Sequence, residues 1–403
     1  MSASSGDSGA IIKWKQHLML QPPAARAGCI WVHACSVGEV GSVAPLIKAI
    51  LDHGDEVHLT VVTATGFAHA HRLLGERITI SYLPWDVPTI FSRFVRTLKP
   101  ALLLLAETEF WPGMFAACRK QGVPVVGINT RISDRSFPRY HASRAIWKRV
   151  LKPVSLFLAQ SEVDASRLIA MGVASDKVRV AGNLKYAITP PEVDASALRE
   201  QLDPSGSRPI LLVASTHEKE DEKILDMWPV WHACCPDLLT VIVPRHPQRF
   251  EQVATMISGR GLKLTRWSAL QSSTQPDVVL IDAMGVLGKL YTVADLVIIA
   301  GSLANIGGHN PLEAAICGRG AVTGPYVQNF REIMEEMQSE HAAIVAADER
   351  ELEQAISRLL AHPDELQQLN ASAVLFIRDK GAVLERMMHE IKPWLSSTVK
   401  TSA

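Results

Sequence analysis

Short apolar runs rich in branched side chains alternate with helical patterns along most of this chain. The runs CIWVHA, EVHLTVV, ITISYL, ALLLLA and VPVVGI follow one another from Cys29, with a helical pattern or turn between them. Strands buried on both faces and joined through helices form parallel sheets with helices on both sides. The first helix, expected from about Glu39, should pack one apolar stripe on the sheet. That stripe is Val40, Val43, Ala44, Ile47 and Ile50.

The alternation breaks once, over AITPPEVDASALREQLDPSGSRP, which neither continues a strand nor builds a core and so predicts a linker. It restarts with PILLVAS, LLTVIVP and DVVLIDA, which predicts two similar α/β units with a cleft between them. The expected organisation is a tail, a first Rossmann-like domain, a linker, a second Rossmann-like domain, and a C-terminal helix that can pack back on the first domain. The ranges are 1–28, 29–188, 189–208, 209–375 and 376–403.

Composition excludes several classes of protein. Hydrophobic residues make up 47% and charged residues 20%, which is typical of a globular rather than a disordered chain. The 41 basic and 41 acidic residues cancel, which argues against a protein that coats nucleic acid. Six cysteines without a CxxC pair or zinc spacing indicate reduced cytosolic thiols. Since no apolar run approaches the ~20 residues of a membrane span, we expect the chain on the cytoplasmic side.

The stretch from Ala294 to Phe330 reads as a buried strand, a glycine loop, a helix start and a second strand. Its glycines would let backbone N–H groups approach a ligand closely. Pro311 suits the first turn of the following helix, whose N-terminus attracts phosphate. Glu313, one turn in, is better placed to accept hydrogen bonds from ribose hydroxyls. The stretch therefore predicts an anion and sugar site, in which the glycines are Gly301, Gly307 and Gly308.

Three acids and one lysine of the first half are candidates for chemistry. Glu39 in SVGEV is either a general base in the cleft or an acid that complements the helix macrodipole. Glu107 and Glu109 follow ALLLLA, where alternation would send both to the same side of the sheet; acids at an edge in water are the alternative. Lys185 in GNLKY either reaches into the cleft or remains a solvated surface lysine.

VPRHPQRF places Arg245 and His246 at the end of a second-half strand, directly before a helix that begins with proline. Charge, donors and a helix terminus converge there, which suits a phosphate. The dinucleotide and P-loop fingerprints are absent from the sequence, so a dehydrogenase is the weakest alternative. HExxH is absent as well, because Asp221 stands where the second histidine would follow His217.

Between residues 131 and 152, seven basic residues accompany the single acid Asp134. This pattern indicates either a solvated helix face or, together with an apolar and basic segment near the start, a surface that rests on an anionic membrane. The basic residues are Arg131, Arg135, Arg139, Arg144, Lys148, Arg149 and Lys152. The segment near the start comprises Ile11, Ile12, Lys13, Trp14, Lys15, Leu18 and Leu20.

Ten motifs, in order, resemble one family. They are IWVHACSVGEV, YLPWDVP, AETEFWPG, NTRISDRS, AQSEVDASR, GNLKY, ASTHEKED, VPRHPQRF, DAMG and GGHNPLEAA. This series is similar to the 3-deoxy-D-manno-oct-2-ulosonic acid (Kdo) transferases of Gram-negative bacteria, from about Ile30 to the last helices. The resemblance implies two Rossmann-like domains of the GT-B type, CMP-Kdo as donor and the lipid A precursor as acceptor. It also implies no catalytic metal, no cofactor, and action at the cytoplasmic face of the inner membrane.

Carried over by motif, Glu39 resembles the family's general base, and Glu107 and Lys185 resemble its residues that stabilise the transition state. The matching CMP-binding positions are Pro244, Arg245, Met284, Gly285, Val286, Asn310, Pro311, Leu312 and Glu313. The phosphate argument adds His246, Gly307 and Gly308. Three departures concern membrane attachment and acceptor placement: no apolar anchor precedes the motifs, Gly113 stands where relatives usually carry Asn, and Cys35 replaces a small apolar residue.

A single displacement by the acceptor hydroxyl predicts inversion at the sugar carbon, with Glu39 taking the proton. Two alternatives remain open on the sequence. The first is another GT-B transferase that uses a UDP-sugar, since the fold and the glycine loop do not select a base. The second is a non-catalytic nucleotide- or lipid-binding protein, against which the joint retention of Glu39, Glu107 and Lys185 argues.

Overall fold

The strands of this protein lie in two parallel sheets of seven strands each. The structure, a computed structural model, describes residues 13–270 and 275–396. These residues divide into two units, one running up to Ala187 and resuming from Lys380, the other comprising Ile188–Asp379. The predicted α/β class with two similar parallel-sheet domains is confirmed.

The first sheet has the strand order β3-β2-β1-β4-β5-β6-β7. Its strands are β1 (Ile30–His33), β2 (Val57–Val61), β3 (Thr79–Tyr82), β4 (Leu102–Ala106), β5 (Val125–Thr130), β6 (Leu156–Ala159) and β7 (Val178–Val180). The helices between them are α1 (Val37–His53), α2 (Ala64–Leu74), α3 (Pro88–Leu98), α4 (Pro112–Gln121), α5 (Phe137–Ala142), α6 (Arg144–Leu151) and α7 (Glu162–Ala170).

Helices cover this sheet on both faces. The stripe predicted on α1, from Val40 to Ile50, is buried and packs with α2 against one face, while α3, α4 and α7 cover the other. Burying each large aliphatic side chain of such a stripe contributes about 1.5–3 kcal/mol relative to leaving it in water. The strand order reverses at β1, which pairs with both β2 and β4. Segments that leave the carboxyl ends of two such strands diverge to opposite faces and open a crevice.

The second sheet has the order β10-β11-β9-β8-β12-β13-β14 and reverses at β8, which pairs with β9 and β12. Its strands are β8 (Ile210–Thr216), β9 (Leu239–Pro244), β10 (Leu264–Arg266), β11 (Val278–Leu280), β12 (Leu296–Ile299), β13 (Ala321–Thr323) and β14 (Ala343–Val345). Its helices are α8 (Ala195–Leu202), α9 (Glu220–Cys234), α10 (Phe250–Gly259), α11 (Leu287–Leu290), α12 (Leu312–Ile316), α13 (Arg331–Ser339), α14 (Glu349–Ala361) and α15 (Pro363–Gly381).

The segment predicted as linker, 189–208, contains helix α8 and belongs to the second unit. The Arg199 guanidinium of α8 donates to the carbonyl oxygen of Val293 at 2.7 Å and pairs with Asp295 at 3.0 Å. The prolines and serines of segment 189–208 prevent it from forming a strand. They nevertheless allow one amphipathic helix, α8, to pack within the second unit.

The segment predicted as one C-terminal helix, 376–403, is divided. Its first residues end α15, and a separate helix, α16 (Val383–Ile391), belongs to the first unit. Val383 and Met387 of α16 are buried in the core beneath α1, and the Ser396 N–H donates to the Asp55 carboxylate at 2.9 Å.

Part of the predicted tail, 1–28, also packs on the first unit. Residues 13–17 are helical, and the side chains of His17 and Met19 are buried. His17 Nδ1 lies 2.6 Å from the carbonyl oxygen of Leu83. Throughout residues 13–270 and 275–396, each helix is too short or too polar to span a lipid bilayer.

Candidate functional site

Glu39 occupies the third position of α1, immediately after β1 at the reversal of the first sheet. Its carboxylate reaches back over the helix start. Oε2 accepts a hydrogen bond from the Cys35 N–H at 2.8 Å, and Oε1 accepts one from the Ser36 hydroxyl at 3.0 Å. Ser36 in turn caps the Glu39 N–H at 3.4 Å, so the motif is a capping box. The structural role that the sequence left open is therefore real.

The carboxylate is nevertheless not an ordinary exposed cap. Burial raises the pKa of Glu39 above its usual value, and the nearby Glu109 charge adds to this, while the bonds from Cys35 and Ser36 partly oppose it. A glutamate with a raised pKa is a stronger base than a free one once it is ionised. The half-buried position of Glu39 can thus combine helix capping with proton acceptance.

Glu107 and Glu109 reach the same region by a turn, not by strand alternation. β4 ends at Ala106, and Glu107 already has a left-handed backbone with φ of 51°, which is uncommon for a residue with a side chain. Burial and the charge of Glu39 raise the pKa of Glu107, and Lys185 and Arg131 lower it. The three carboxylates therefore influence one another, and the alternative of separate edge acids in water does not describe them.

His33 lies under the acids as the last residue of β1. Its side chain is 0% exposed, and its Nε2 is 3.8 Å from Glu109 Oε2. Burial works against the charge of Glu109, but His33 and the Trp111 indole N–H, which donates to Glu109 at 2.9 Å, hold the pKa of Glu109 below its usual value. The sequence analysis did not single out His33, although its place in WVHAC before Glu39 was a signal.

Lys185 lies on a short 3₁₀ turn, Leu184–Tyr186, and its side chain is exposed. Asn129, fully buried with φ of 50°, holds this turn because its side-chain oxygen accepts from the Leu184 N–H at 2.9 Å. Lys185 and Glu107 are thus brought together from distant parts of the chain. Asn129 is a positioning residue that the sequence analysis missed.

A cavity of about 230 Å³ lies at the carboxyl ends of β8 and β9 in the second unit. It brings together five of the predicted donor-site residues, and they are Pro244, Arg245, Met284, Gly285 and Glu313. The remaining lining residues, which the sequence analysis did not name, are Ser215, Val243, Ala283, Leu287 and Gly288. The other predicted donor-site residues do not line it, and they are His246, Val286, Gly307, Gly308, Asn310, Pro311 and Leu312.

The backbone N–H groups of the glycine loop make different hydrogen bonds from those predicted. The N–H of Gly301 donates to the buried carboxylate of Glu220 at 2.8 Å, and the N–H of Gly308 donates to the Gly301 carbonyl at 2.8 Å. Those two N–H groups, expected to face a ligand, are therefore used inside the loop. Glu220 also accepts from the Leu303 N–H at 2.8 Å and from the His217 N–H at 2.9 Å. The acid three residues after His217 was the sequence signal for this role.

The helix expected to present its N-terminus to phosphate is short. α12 has five residues, and the Leu312 N–H at its start is already satisfied by the Asn310 side-chain oxygen at 3.1 Å. A macrodipole needs several aligned turns, so α12 supplies little charge to an anion. Pro311 lies at the N-cap, one residue earlier than predicted.

Three histidines adjoin Arg245. Nε2 of His217 lies 2.9 Å from Nε2 of His309, with the rings stacked, and the His246 ring centroid is 5.3 Å from that of His217. Burial lowers the pKa of His217 and, with His217 and Arg245 nearby, lowers that of His309 to about 4. Neutral imidazoles can donate an N–H to a phosphate without repelling the guanidinium. His309 in GGHNP was not selected from the sequence.

The basic run of the first unit is displayed on α5 and α6. Arg139, Arg144, Lys148 and Arg149 are exposed, as is Ile146 at 63%. Near the start, Trp14 is 56% exposed and packs edge-on against Trp85, which is 41% exposed, with ring centroids 5.1 Å apart. Ile11 and Ile12 of the predicted membrane segment lie outside the described residues.

Comparison with known proteins places these geometries in context. A sequence profile for the 3-deoxy-D-manno-octulosonic-acid transferases (kdotransferases) matches residues 12–188. A 3-deoxy-D-manno-octulosonic acid transferase of Bordetella pertussis is 33% identical over 383 residues, 93% of this chain and 89% of the relative. The protein of the same name from Haemophilus influenzae is 32% identical, over 92% of this chain and 88% of its own length.

Among solved structures, the UDP-GlcNAc 2-epimerase of Neisseria meningitidis aligns with a TM-score of 0.54, covering 90% of this chain and 99% of that chain at 15% identity. Such a likeness speaks for the fold alone. Together with the two seven-stranded parallel sheets, it identifies two Rossmann-like domains of the GT-B type.

Proposed function

Because this chain belongs to the 3-deoxy-D-manno-octulosonic acid (Kdo) transferase family, and is thus a glycosyltransferase of lipopolysaccharide biosynthesis, we propose that it moves Kdo from CMP-Kdo to the lipid A precursor. The observation that carries the proposal is the half-buried Glu39 carboxylate at the reversal of the first sheet, with Glu107 and Lys185 beside it. Glu39 is the general base in this proposal.

The first unit provides the acceptor chemistry. Glu39 takes the proton of the attacking sugar hydroxyl, which strengthens the oxygen as a nucleophile while the new bond forms. The Kdo carbon develops oxocarbenium character, and an ionised Glu107 stabilises positive charge there. Lys185 offsets part of the burial penalty on Glu107 and so favours the ionised form of that carboxylate.

The second unit provides the donor site. Arg245 lines the cavity of about 230 Å³ and is proposed to hold the single phosphate of CMP, with N–H donation from His246 and His217. Glu313 lines the same cavity and is proposed to accept from the ribose hydroxyls. In contrast to the sequence-based expectation, the phosphate contact depends on side chains and not on the glycine loop or α12.

The proposed reaction is one displacement. The acceptor oxygen forms a bond to the Kdo carbon as the bond to the CMP phosphate oxygen breaks, its electron pair leaves with CMP, and the proton goes to Glu39. Attack opposite the departing phosphate inverts the configuration at that carbon. CMP carries one phosphate instead of two, so the guanidinium and imidazole donors are proposed to suffice without a catalytic metal or other cofactor.

The decisive test compares two capping-box glutamates. Glu351 at the start of α14 accepts from the Ala347 N–H at 2.8 Å, as Glu39 accepts from Cys35, but it belongs to the second unit and has no proposed part in proton transfer. We expect Glu39→Gln to lose transfer by on the order of 100-fold with unchanged CMP affinity, because a base has been removed. Glu351→Gln should transfer at the wild-type rate. Wild-type turnover by Glu39→Gln would reject the assignment.

Donor selection is tested separately. Arg245→Ala should weaken CMP binding measured by calorimetry, because the phosphate loses its charge-assisted bonds. The alternative donor, a UDP-sugar, is distinguished by competition: CMP should inhibit transfer at concentrations where UDP does not. Unchanged CMP affinity in Arg245→Ala would contradict the donor site.

The acceptor is a lipid, and the proposal places the enzyme on the cytoplasmic face of the inner membrane. The exposed cations of α5 and α6, with Ile146 among them, support contact with anionic headgroups. Binding to anionic vesicles should fall as salt is raised, and Arg144→Glu with Lys148→Glu should reduce it further. Salt-independent partitioning would argue against this surface.

A further inference from the structure

Three side chains of different chemistry meet at the start of α1. Sγ of Cys35 and a carboxylate oxygen from each of Glu39 and Glu109 all lie within 4.8 Å of one another, and all three residues are half-buried. They come from the end of the β1 segment, the first turn of α1 and the loop after β4. The proposed sugar transfer uses the Glu39 carboxylate but assigns nothing to the thiol.

A fourth group points into this cluster from below. His33 is 0% exposed, and its Nε2 has no hydrogen-bond partner although it lies 3.8 Å from Glu109 Oε2. His33 Nδ1 lies 3.0 Å from both the carbonyl oxygen and the hydroxyl oxygen of Thr60. In the neutral tautomer that donates from Nδ1 to the Thr60 carbonyl, Nε2 offers a lone pair towards the Glu109 carboxylate. That juxtaposition is favourable when a cation lies between the two groups.

We propose that Cys35, Glu39 and Glu109, with His33 as the fourth donor, form a binding site for Zn²⁺. Thiolate, imidazole and carboxylate together are the donor set that zinc takes, whereas Mg²⁺ and Ca²⁺ take oxygen donors without sulfur. Each Glu39 oxygen accepts one hydrogen bond and keeps a lone pair for a metal.

The donor atoms of Cys35, Glu39 and Glu109 are spaced nearly as zinc ligands are, and His33 Nε2 lies 3.8 Å from one of them, Glu109 Oε2. Ligand bonds of about 2.0–2.3 Å in a tetrahedron separate neighbouring donor atoms by roughly 3.5 Å. The observed limit of 4.8 Å requires the donors of Cys35, Glu39 and Glu109 to move closer to one another by about 1 Å, which side-chain rotation can provide. As the Zn–S bond forms, the Cys35 thiol releases its proton to solvent.

A bound zinc ion would occupy the Glu39 carboxylate. Under the proposed function, on which this consequence rests, the ion blocks the general base and inhibits transfer without taking part in it. The thiol confers the selectivity, since a soft ligand favours zinc over the alkaline-earth ions. Zinc would act as an inhibitor here, and its removal would restore activity.

The test measures metal binding directly on the full chain. Co²⁺ is added as a spectroscopic substitute, and Zn²⁺ affinity is measured by competition with a chromogenic chelator. We expect a thiolate-to-cobalt charge-transfer band at one equivalent, absent in Cys35→Ser, and a Zn²⁺ affinity weakened by about 10- to 100-fold or more in that variant. The control is Cys234→Ser with Cys235→Ser, which removes two neighbouring thiols of the second unit, one exposed and one half-buried, and should bind as the parent does.

Equal thermal midpoints confirm that Cys35→Ser is folded. A charge-transfer band that survives in Cys35→Ser, or that disappears in the Cys234 and Cys235 variant, overturns the site. Transfer assays with added Zn²⁺ and then chelator separate the two proposals. Cys35-dependent binding without inhibition would retain the zinc site and reject Glu39 as the base.

Discussion

Single residues with unusual surroundings mark both candidate sites. Glu107 and Ser215 have left-handed backbones, with φ of 51° and 64°. Glu107 follows β4, which pairs with β1 at the reversal of the first sheet, and Ser215 lies near the end of β8, where the second sheet reverses. Side chains disfavour that conformation, so the surrounding structure must hold it in place. The sequence could not predict this conformation at either position, because Glu and Ser rarely adopt positive φ.

The buried ion pair beside the donor cavity is expected to govern stability. Asp221 is 0% exposed, pairs with Arg249 and accepts from the Thr216 hydroxyl at 2.6 Å. Asp221→Asn should reduce the free energy of unfolding by about 3–5 kcal/mol, because it leaves a buried guanidinium without its countercharge. Urea titration measures the loss.

The matched control is Asp226→Asn on the same helix. Asp226 pairs with Arg260 at 2.6 Å but is mostly exposed, so its removal should change stability by less than about 1 kcal/mol. Equal losses in the two variants would mean that the Asp221 pair contributes no more than a surface contact.

His58 provides a pH-dependent prediction. Burial lowers its pKa to about 4, and its ring nitrogens lie 2.7 Å from Thr79 Oγ1 and 3.0 Å from Ser81 Oγ. The unfolded chain binds a proton near pH 6.5 and the folded chain only near pH 4, so stability is lost as the pH falls between these values. The loss attributable to His58 is on the order of 3 kcal/mol.

The predicted loss of stability is tested by measuring urea unfolding midpoints at about pH 7 and about pH 4, for the parent protein and for His58→Gln. The variant should show a smaller fall than the parent because it lacks the titrating ring. An identical fall in both proteins would exclude His58 as a source of acid sensitivity.

At the scale of elements, the start of α4 is stabilised by a residue that is distant in sequence. The N-terminus of α4 is capped by Asp86 from the loop before α3, whose carboxylate accepts from the N–H groups of Gly113 at 3.2 Å and Met114 at 3.1 Å. A Cβ on Gly113 would lie 2.2 Å from Asp86 Oδ1. This close approach explains why glycine follows Trp-Pro in this chain.

Gly113→Ala should therefore displace Asp86 and remove the cap, at about 0.5–2 kcal/mol of stability. Gly259→Ala is the control, since nothing lies within 4 Å of a Cβ at that helical position. It should be neutral or stabilising by up to about 1 kcal/mol. Thermal melts of both variants measure the difference. A Gly113→Ala protein that melts at or above the parent temperature would reject the role of Asp86 as the cap.

At the scale of the whole molecule, helix α16 completes the core of the first unit. Met387 of α16 is 0% exposed in the core that α1 also lines, and the Arg386 guanidinium donates to the Ala181 carbonyl at 2.9 Å. The first unit therefore depends on residues almost two hundred positions after its main segment ends. Its folding cannot be completed until residues Val383–Ile391 are present.

Met387→Ala should accelerate hydrogen exchange of α1 amides, because a cavity in this core costs about 2–5 kcal/mol. The exposed Glu385 lies on the same helix, and Glu385→Ala should leave that exchange unchanged. Mass spectrometry of α1 peptides makes the comparison. Unchanged exchange in Met387→Ala would show that α1 does not depend on α16.

Periodicity in the sequence was sufficient to predict the parallel strands, the two α/β halves and the apolar stripe of α1. These follow from local spacing, since each strand or helix must bury its own apolar face whatever it packs against. The family could likewise be read from ordered motifs, which also make Glu39, Glu107, Lys185 and Arg245 candidates for the site.

Tertiary structure alone decided how the side chains meet. It brought His33 beneath Glu109, held the Lys185 turn through Asn129, and used the Gly301 and Gly308 N–H groups inside a loop capped by Glu220. Each of these contacts joins groups far apart in sequence except the one between Gly301 and Gly308. Burial and hydrogen-bond geometry settle such contacts only after both sheets are packed, because a local pattern does not specify which distant group fills a given space.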